Sequence, residues 1–86
     1  MYVILTYDAK AQRDHKLLKV CRKYLTHEQK SVFEGMLTER ELRKLKKELE
    51  KVINIEEDSV NIYRFSSLKF SSKEKIGVNA VSVHIL

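Results

Sequence analysis

Two helices packed on one face of a mainly antiparallel sheet, an α+β sandwich, is the architecture this sequence predicts, and three observations predict it. The chain opens on a nearly unbroken apolar run, Met1-Tyr2-Val3-Ile4-Leu5-Thr6-Tyr7, that stops on the carboxylate of Asp8. Two segments of helical apolar period follow, one through Leu17, Cys21, Tyr24 and Leu25 and one through Leu42, Leu45, Leu49 and Val52. The stretches between and after them are short, β-branched and aromatic. Strand, helix, strand, helix, strand and a terminal strand within 86 residues is the ferredoxin-like order.

Apolar side chains on both faces of so short a first run mark a central strand, covered above and below. Asp8 stands where that strand leaves the core. At such a place a rigid scaffold fixes a side chain while the adjoining loops leave it open to ligands. The same residue also reads as a cap for the turn or helix that follows, because Asp is a favoured cap.

Length and composition bound the rest. A chain of 86 residues is one domain, 1–86, and buries only about 60–65% of its unfolded surface, so a dimer would add needed burial. With 43% hydrophobic and 34% charged residues, two glycines and no proline, it has a globular composition and not that of a disordered tail. Seventeen Lys and Arg against twelve Asp and Glu leave +5, a balance that a twofold dimer doubles. Positive surfaces of this kind favour nucleic acid through counterion release. The lone Cys21 excludes an internal disulfide and a thiolate zinc cluster, and its neighbours Leu17, Leu18 and Val20 mark it as a core thiol. The apolar first run is too short to span a bilayer, which places the protein in the cytoplasm with no membrane partner.

In chain order, the polar segment 9–14 leads into the first helix, whose outer face carries Lys16, Lys19, Arg22 and Lys23. Thr26-His27-Glu28 ends that helix, and Gln29 to Leu37 reads as one bent strand or a hairpin, with Gly35 marking a bulge or a close backbone approach. Thr38-Glu39-Arg40-Glu41 is a capping box that opens the second helix, with Glu39 and Arg43 spaced for an ion pair. This helix reads as scaffolding. Glu56-Glu57-Asp58 reads as a solvated acidic loop, and Ser59 to Phe65 as the third strand. Residues 66–75 form a polar, flexible connector with Leu68 and Phe70 exposed. The terminal segment 77–86 alternates, Val81, Val83 and Ile85 against Ser82 and His84, and reads as a strand that pairs with a partner subunit.

Chemistry is sparse. There is no glycine-rich phosphate loop, no Cys-x-x-Cys and no His-x-x-x-His, and His15, His27 and His84 are scattered over three elements. Asp8 remains, with basic residues downstream. One carboxylate holds Mg²⁺ poorly, since the ion keeps several waters and commonly takes a second carboxylate or a substrate phosphate. A twofold axis would bring Asp8 from both subunits together around one ion, held against a phosphodiester.

Tyr7-Asp8 closing the first strand, Gln29-Lys30-Ser31-Val32-Phe33-Glu34-Gly35, and Glu56-Glu57-Asp58-Ser59-Val60-Asn61-Ile62-Tyr63 resemble the CRISPR-associated protein 2 family, the small core proteins of spacer acquisition. The resemblance implies a ferredoxin-like homodimer whose C-terminal strand crosses onto the partner. It implies a metal-dependent endonuclease acting on RNA or DNA, with Asp8 as catalytic metal ligand and Mg²⁺, or Mn²⁺, as cofactor. It also implies a protein that bridges two CRISPR integrase dimers and holds a DNA duplex. Lys10, Arg13 and Lys16 occupy the region of the family's phosphate contacts, and Lys19 and Lys23 extend it along the helix. Thr26-His27-Glu28 departs from the family pattern, which has a glycine-containing turn and a basic residue there. A non-catalytic DNA-binding scaffold with the same partners, and a toxin-type messenger-RNA ribonuclease of similar fold, are the alternatives; single-stranded RNA is a substrate in the nuclease readings.

If the terminal strand crosses between subunits, deleting residues 80–86 weakens the dimer, and sedimentation velocity will show a shift toward monomer at micromolar concentration.

Overall fold

The computed structural model describes residues 1–66 and, beyond them, the backbone of two strands at 71–74 and 82–85. The elements are β1 (Tyr2–Asp8), α1 (Ala11–Tyr24), β2 (Thr26–Gln29), β3 (Val32–Met36), α2 (Glu39–Val52), β4 (Ser59–Phe65), β5 (Ser71–Glu74) and β6 (Ser82–Ile85). Four strands form one antiparallel sheet in the order β2-β3-β1-β4, and β5 pairs with β6 in a second. The ferredoxin-like expectation is met, with β1 inside the sheet and both helices on one side of it.

Alternation along β1 decides which face carries the core. Val3, Leu5 and Tyr7 point toward the helices and are buried with Leu17, Cys21, Phe33, Leu42 and Leu45. Phe33 on β3 lies opposite Leu5 and stacks on Tyr7 with ring centroids 5.9 Å apart. Tyr2, Ile4 and Thr6 turn to the other side, opposite Met36, Glu34 and Val32 on β3 and Phe65, Tyr63 and Asn61 on β4. The helices cover β1 from the side of Val3, Leu5 and Tyr7. On the other side Ile4 is buried, while Met36 and Tyr63 stand 61% and 46% exposed.

The helices follow their local signals. In α1, Leu17, Val20 and Cys21 are buried and Lys16, Lys19, Arg22 and Lys23 are exposed. In α2 the capping box is complete: the Glu41 amide donates to Thr38 Oγ1 at 3.1 Å and the Thr38 amide to Glu41 Oε1 at 2.8 Å. Leu42, Leu45 and Leu49 are its buried stripe. Glu48 joins the two helices, accepting from Lys23 Nζ at 2.7 Å and from the Tyr24 hydroxyl. Glu39 is taken by Arg64 of β4 and not by Arg43, because its position on the helix faces the sheet edge.

Between the helices the chain forms a hairpin. α1 ends at Leu25, so Thr26-His27-Glu28 is not a helix terminus but the start of β2. The reversal falls at Lys30, whose φ of 42° is the left-handed region that glycine or asparagine normally fills. The bulge lies between His27 and Gln29. Gly35 answers to the other expectation, close approach: a Cβ there would sit 3.3 Å from Leu25 Cδ2.

Part of the segment read as a flexible connector is a strand. β5 pairs with β6 from Ser71 opposite Ile85 to Glu74 opposite Ser82. The terminal strand thus uses one edge for its own chain, and its expected pairing with a partner subunit concerns the other. Leu68, Phe70 and Val81 lie outside the described residues.

Phe33 is fully buried between Tyr7 and His27, so Phe33→Ala removes a large side chain from the core. We expect a loss of about 3–5 kcal/mol in urea-induced unfolding.

Candidate active site

Asp8 is the last residue of β1, exposed, on the side of the sheet that Ile4 and Thr6 occupy and opposite Ser59 of β4. Its carboxylate makes no hydrogen bond or ion pair with any described residue, and the N-cap of α1 is Lys10, without a side-chain cap. The capping role for Asp8 is therefore not what the fold uses. The corner is held instead by a second carboxylate.

That carboxylate is Asp58, whose side chain is fully buried. Asp58 Oδ1 accepts from the Lys10 amide at 3.0 Å and from Arg13 Nη2 at 3.0 Å; Oδ2 accepts from Arg13 Nε at 2.5 Å and from the Asn54 amide at 2.8 Å. Arg13 Nη2 also reaches Glu57 Oε1 at 2.9 Å. The fork of Arg13, with the Asn54 and Lys10 amides, holds the Asp58 carboxyl well below the usual carboxylate range; burial acts the other way and is outweighed. The solvated acidic loop is thus corrected at Asp58, while Glu56 and Glu57 are exposed as expected. Asn54 shapes the loop, its Oδ1 accepting from the Glu56 amide at 2.9 Å.

The predicted basic residues divide. Lys10 is two residues past Asp8, with only its backbone engaged in that corner. Arg13 is in the same corner with its guanidinium on Asp58 and Glu57, so its role there is one of holding the loop. Lys16, Lys19 and Lys23 run along the outer side of α1, in the layer opposite the face that carries Asp8, and Lys23 pairs with Glu48. The structure groups Asp8 with Lys10 and Arg13 and sets the other three on a different surface.

Other candidate groups are structural. Cys21 is fully buried and burial pushes its thiol up to about 12, which removes it as a nucleophile. His27 stacks on Phe33 with centroids 4.5 Å apart and contacts the Lys30 carbonyl and Arg22. It lines a cleft of about 390 Å³ with Tyr7, Asp14, Leu18, Lys30 and Ser31. His15 is exposed.

Among the described residues no three His, Cys, Asp or Glu side chains gather as a metal site. The donor chemistry of Asp8, an exposed carboxylate with both oxygens unengaged, fits a hard cation such as Mg²⁺ as one protein ligand among waters, not as a complete set.

Fold and corner together define a small basic α+β protein with one unengaged carboxylate at the end of a central strand. The chain belongs to the CRISPR-associated protein Cas2 family, whose sequence profile, described as CRISPR associated protein Cas2, matches residues 1–73. It is 45% identical over 78 residues to the CRISPR-associated endoribonuclease Cas2 of Dictyoglomus turgidum, covering 91% of this chain and 90% of that one. The identity to the protein of the same description from Thermotoga maritima is also 45% over 78 residues, with the same two coverages. A crystal structure described as that of cas2 superposes with a TM-score of 0.84 at 35% identity, covering 100% of this chain and 97% of that chain. Streptococcus pyogenes Cas2, crystallised at pH 6.5, superposes with a TM-score of 0.71 at 30% identity, over 77% of this chain and 87% of the other.

Because the folded pKa of Asp58 lies below its unfolded value, near 4, its contribution is present at neutral pH and is lost as pH falls below about 4. Asp58→Asn is expected to lower Tm at pH 7 by about 10 °C, because Arg13 loses its buried partner and keeps only the exposed Glu57. It should also flatten the fall in Tm between pH 5 and pH 2, followed by circular dichroism.

Proposed function

We propose that this protein is a homodimeric, metal-dependent endonuclease of CRISPR spacer acquisition, in which Asp8 from each subunit holds one Mg²⁺ (or Mn²⁺) against a phosphodiester of RNA or DNA. The observation that carries this reading is the state of Asp8: exposed, at the end of β1, and relieved of structural duty because Asp58 holds the corner. The names of the relatives, endoribonucleases, support the same reaction class. A sheet face that carries Tyr2, Ile4 and Phe65 and leaves Met36 and Tyr63 exposed supports a twofold partner. Burying that face would place two copies of Asp8 on one interface.

In this reading a bound cation supplies Lewis-acid stabilisation of charge developing on the scissile phosphate. The chain supplies the rest. Asp8 presents oxygen donors from a rigid strand end, the Asp58–Arg13 pair fixes the backbone two residues beyond it, and the exposed Lys10 meets a neighbouring phosphate. Lys16, Lys19 and Lys23 contact the backbone of a DNA duplex along α1. The dimer then bridges two integrase dimers in the cytoplasm; among the described residues no helix is long and apolar enough to cross a membrane.

A second reading is favoured by the same site: with one carboxylate per chain and no three-ligand cluster among the described residues, the protein would act as a duplex-binding scaffold whose partner does the strand transfer. Membership of the Cas2 family sets the toxin-type ribonuclease aside.

The two are separated by cleavage of labelled single-stranded RNA and duplex DNA by the wild type and Asp8→Asn, each with Mg²⁺ and with chelator. The nuclease reading expects both changes to reduce cleavage by more than the roughly 10–100-fold typical of an outer-shell partner. Absence of cleavage by the wild type, with duplex binding retained, selects the scaffold.

A further inference from the structure

Helix α2 carries a segregation of charge that its role as scaffolding does not require. At 3.6 residues per turn, Arg40, Arg43, Lys44, Lys47 and Lys51 fall within an arc of about 100° on its outer side. All five are exposed and none is in an ion pair among the described residues. The helix's four carboxylates lie outside that arc. Glu41 closes the capping box and Glu48 binds Lys23 and Tyr24, both on the flank toward α1. Glu39 binds Arg64 and Glu50 lines the groove beside Ile53, Val60 and Ile62, both on the flank toward β4. A solvated helix of the ordinary kind mixes signs at i,i+4 along its exposed face and gains a few tenths of a kcal/mol per pair. Here Lys44 and Lys51 feel Glu41 and Glu48 only from the margin of the arc, and within it like charges stand next to one another at spacings of three and four.

We propose that the outer side of α2 is a phosphate-binding ridge for duplex nucleic acid. This rests on the duplex-binding reading above and extends it to residues that reading does not use. Charge complementarity names the occupant: from Arg40 to Lys51 the ridge rises about 16 Å, the length of roughly five base pairs. Across the Lys23–Glu48 contact, α1 adds the exposed Lys16 and Lys19 to the same layer. It lies on the opposite side of the sheet from Asp8, and the contact it makes is one of holding and not of cutting.

The test is duplex binding by fluorescence anisotropy across about 0.05–0.3 M salt. Three forms of the full chain are compared: wild type, the quadruple variant Arg40→Gln, Lys44→Gln, Lys47→Gln, Lys51→Gln, and the triple variant Lys16→Gln, Lys19→Gln, Lys23→Gln. We expect the quadruple variant, with Tm and sedimentation unchanged, to bind about tenfold more weakly at about 0.1 M salt for each phosphate that it no longer neutralises. Its log–log salt slope should fall by about 0.9 for each such phosphate. A single Lys47→Glu should move affinity in the same direction, which guards against a folding defect in the multiple variant. Unchanged affinity and slope for the quadruple variant, with the triple variant weakened, overturn the ridge and leave the duplex reading intact. Absence of duplex binding by the wild type overturns both.

Discussion

A buried carboxylate governs the corner of the molecule where Asp8 stands. Asp58 receives four hydrogen bonds from three residues distributed over the loop after β1, the first turn of α1 and the loop before β4. Removing a charge from water is costly, and the cost is met only where donors converge with good geometry. Here the convergence fixes three chain segments at once. With that corner locked by Asp58, the neighbouring carboxylate of Asp8 has no structural work to do and is presented to solvent from a rigid strand end.

The two carboxylates show how differently sequence speaks about similar residues. Asp8 is legible because its signal is local: an apolar run stops on a charge, and strand periodicity places it at the edge of the core. Asp58 sits in a run of three acids, where the local pattern says solvent, and its partner Arg13 is 45 residues away in sequence. Only the fold brings them together. The α2 capping box is readable for the reason that Asp58 is not, since all its donors and acceptors lie within four consecutive residues. The hairpin at Lys30 is ambiguous in sequence because a lysine fills a position where glycine or asparagine would announce the turn. Glu39 points by spacing to the nearest cation along its helix, whereas the sheet edge supplies a competing one.

The apolar character of β1 is plain in the sequence, but its consequence is not. A strand apolar on both faces suggests cover on both, and the chain places its two helices on one side. On the other side Tyr63 and Met36 stand exposed, an apolar surface of the kind that partners cover. The helix side, by contrast, is finished within the chain, and its outward surface is free to carry charge.

The single cysteine has a practical consequence. Cys21 lies on the buried side of α1, packed among Leu17, Val20 and Phe33 in the core, with no exposure at all. A thiol reagent reaches it only when α1 lifts from the sheet, so its rate of modification is a clock for opening of the helical layer. With no other sulfhydryl in the chain, that clock runs without interference, and a ligand that holds α1 in place slows it.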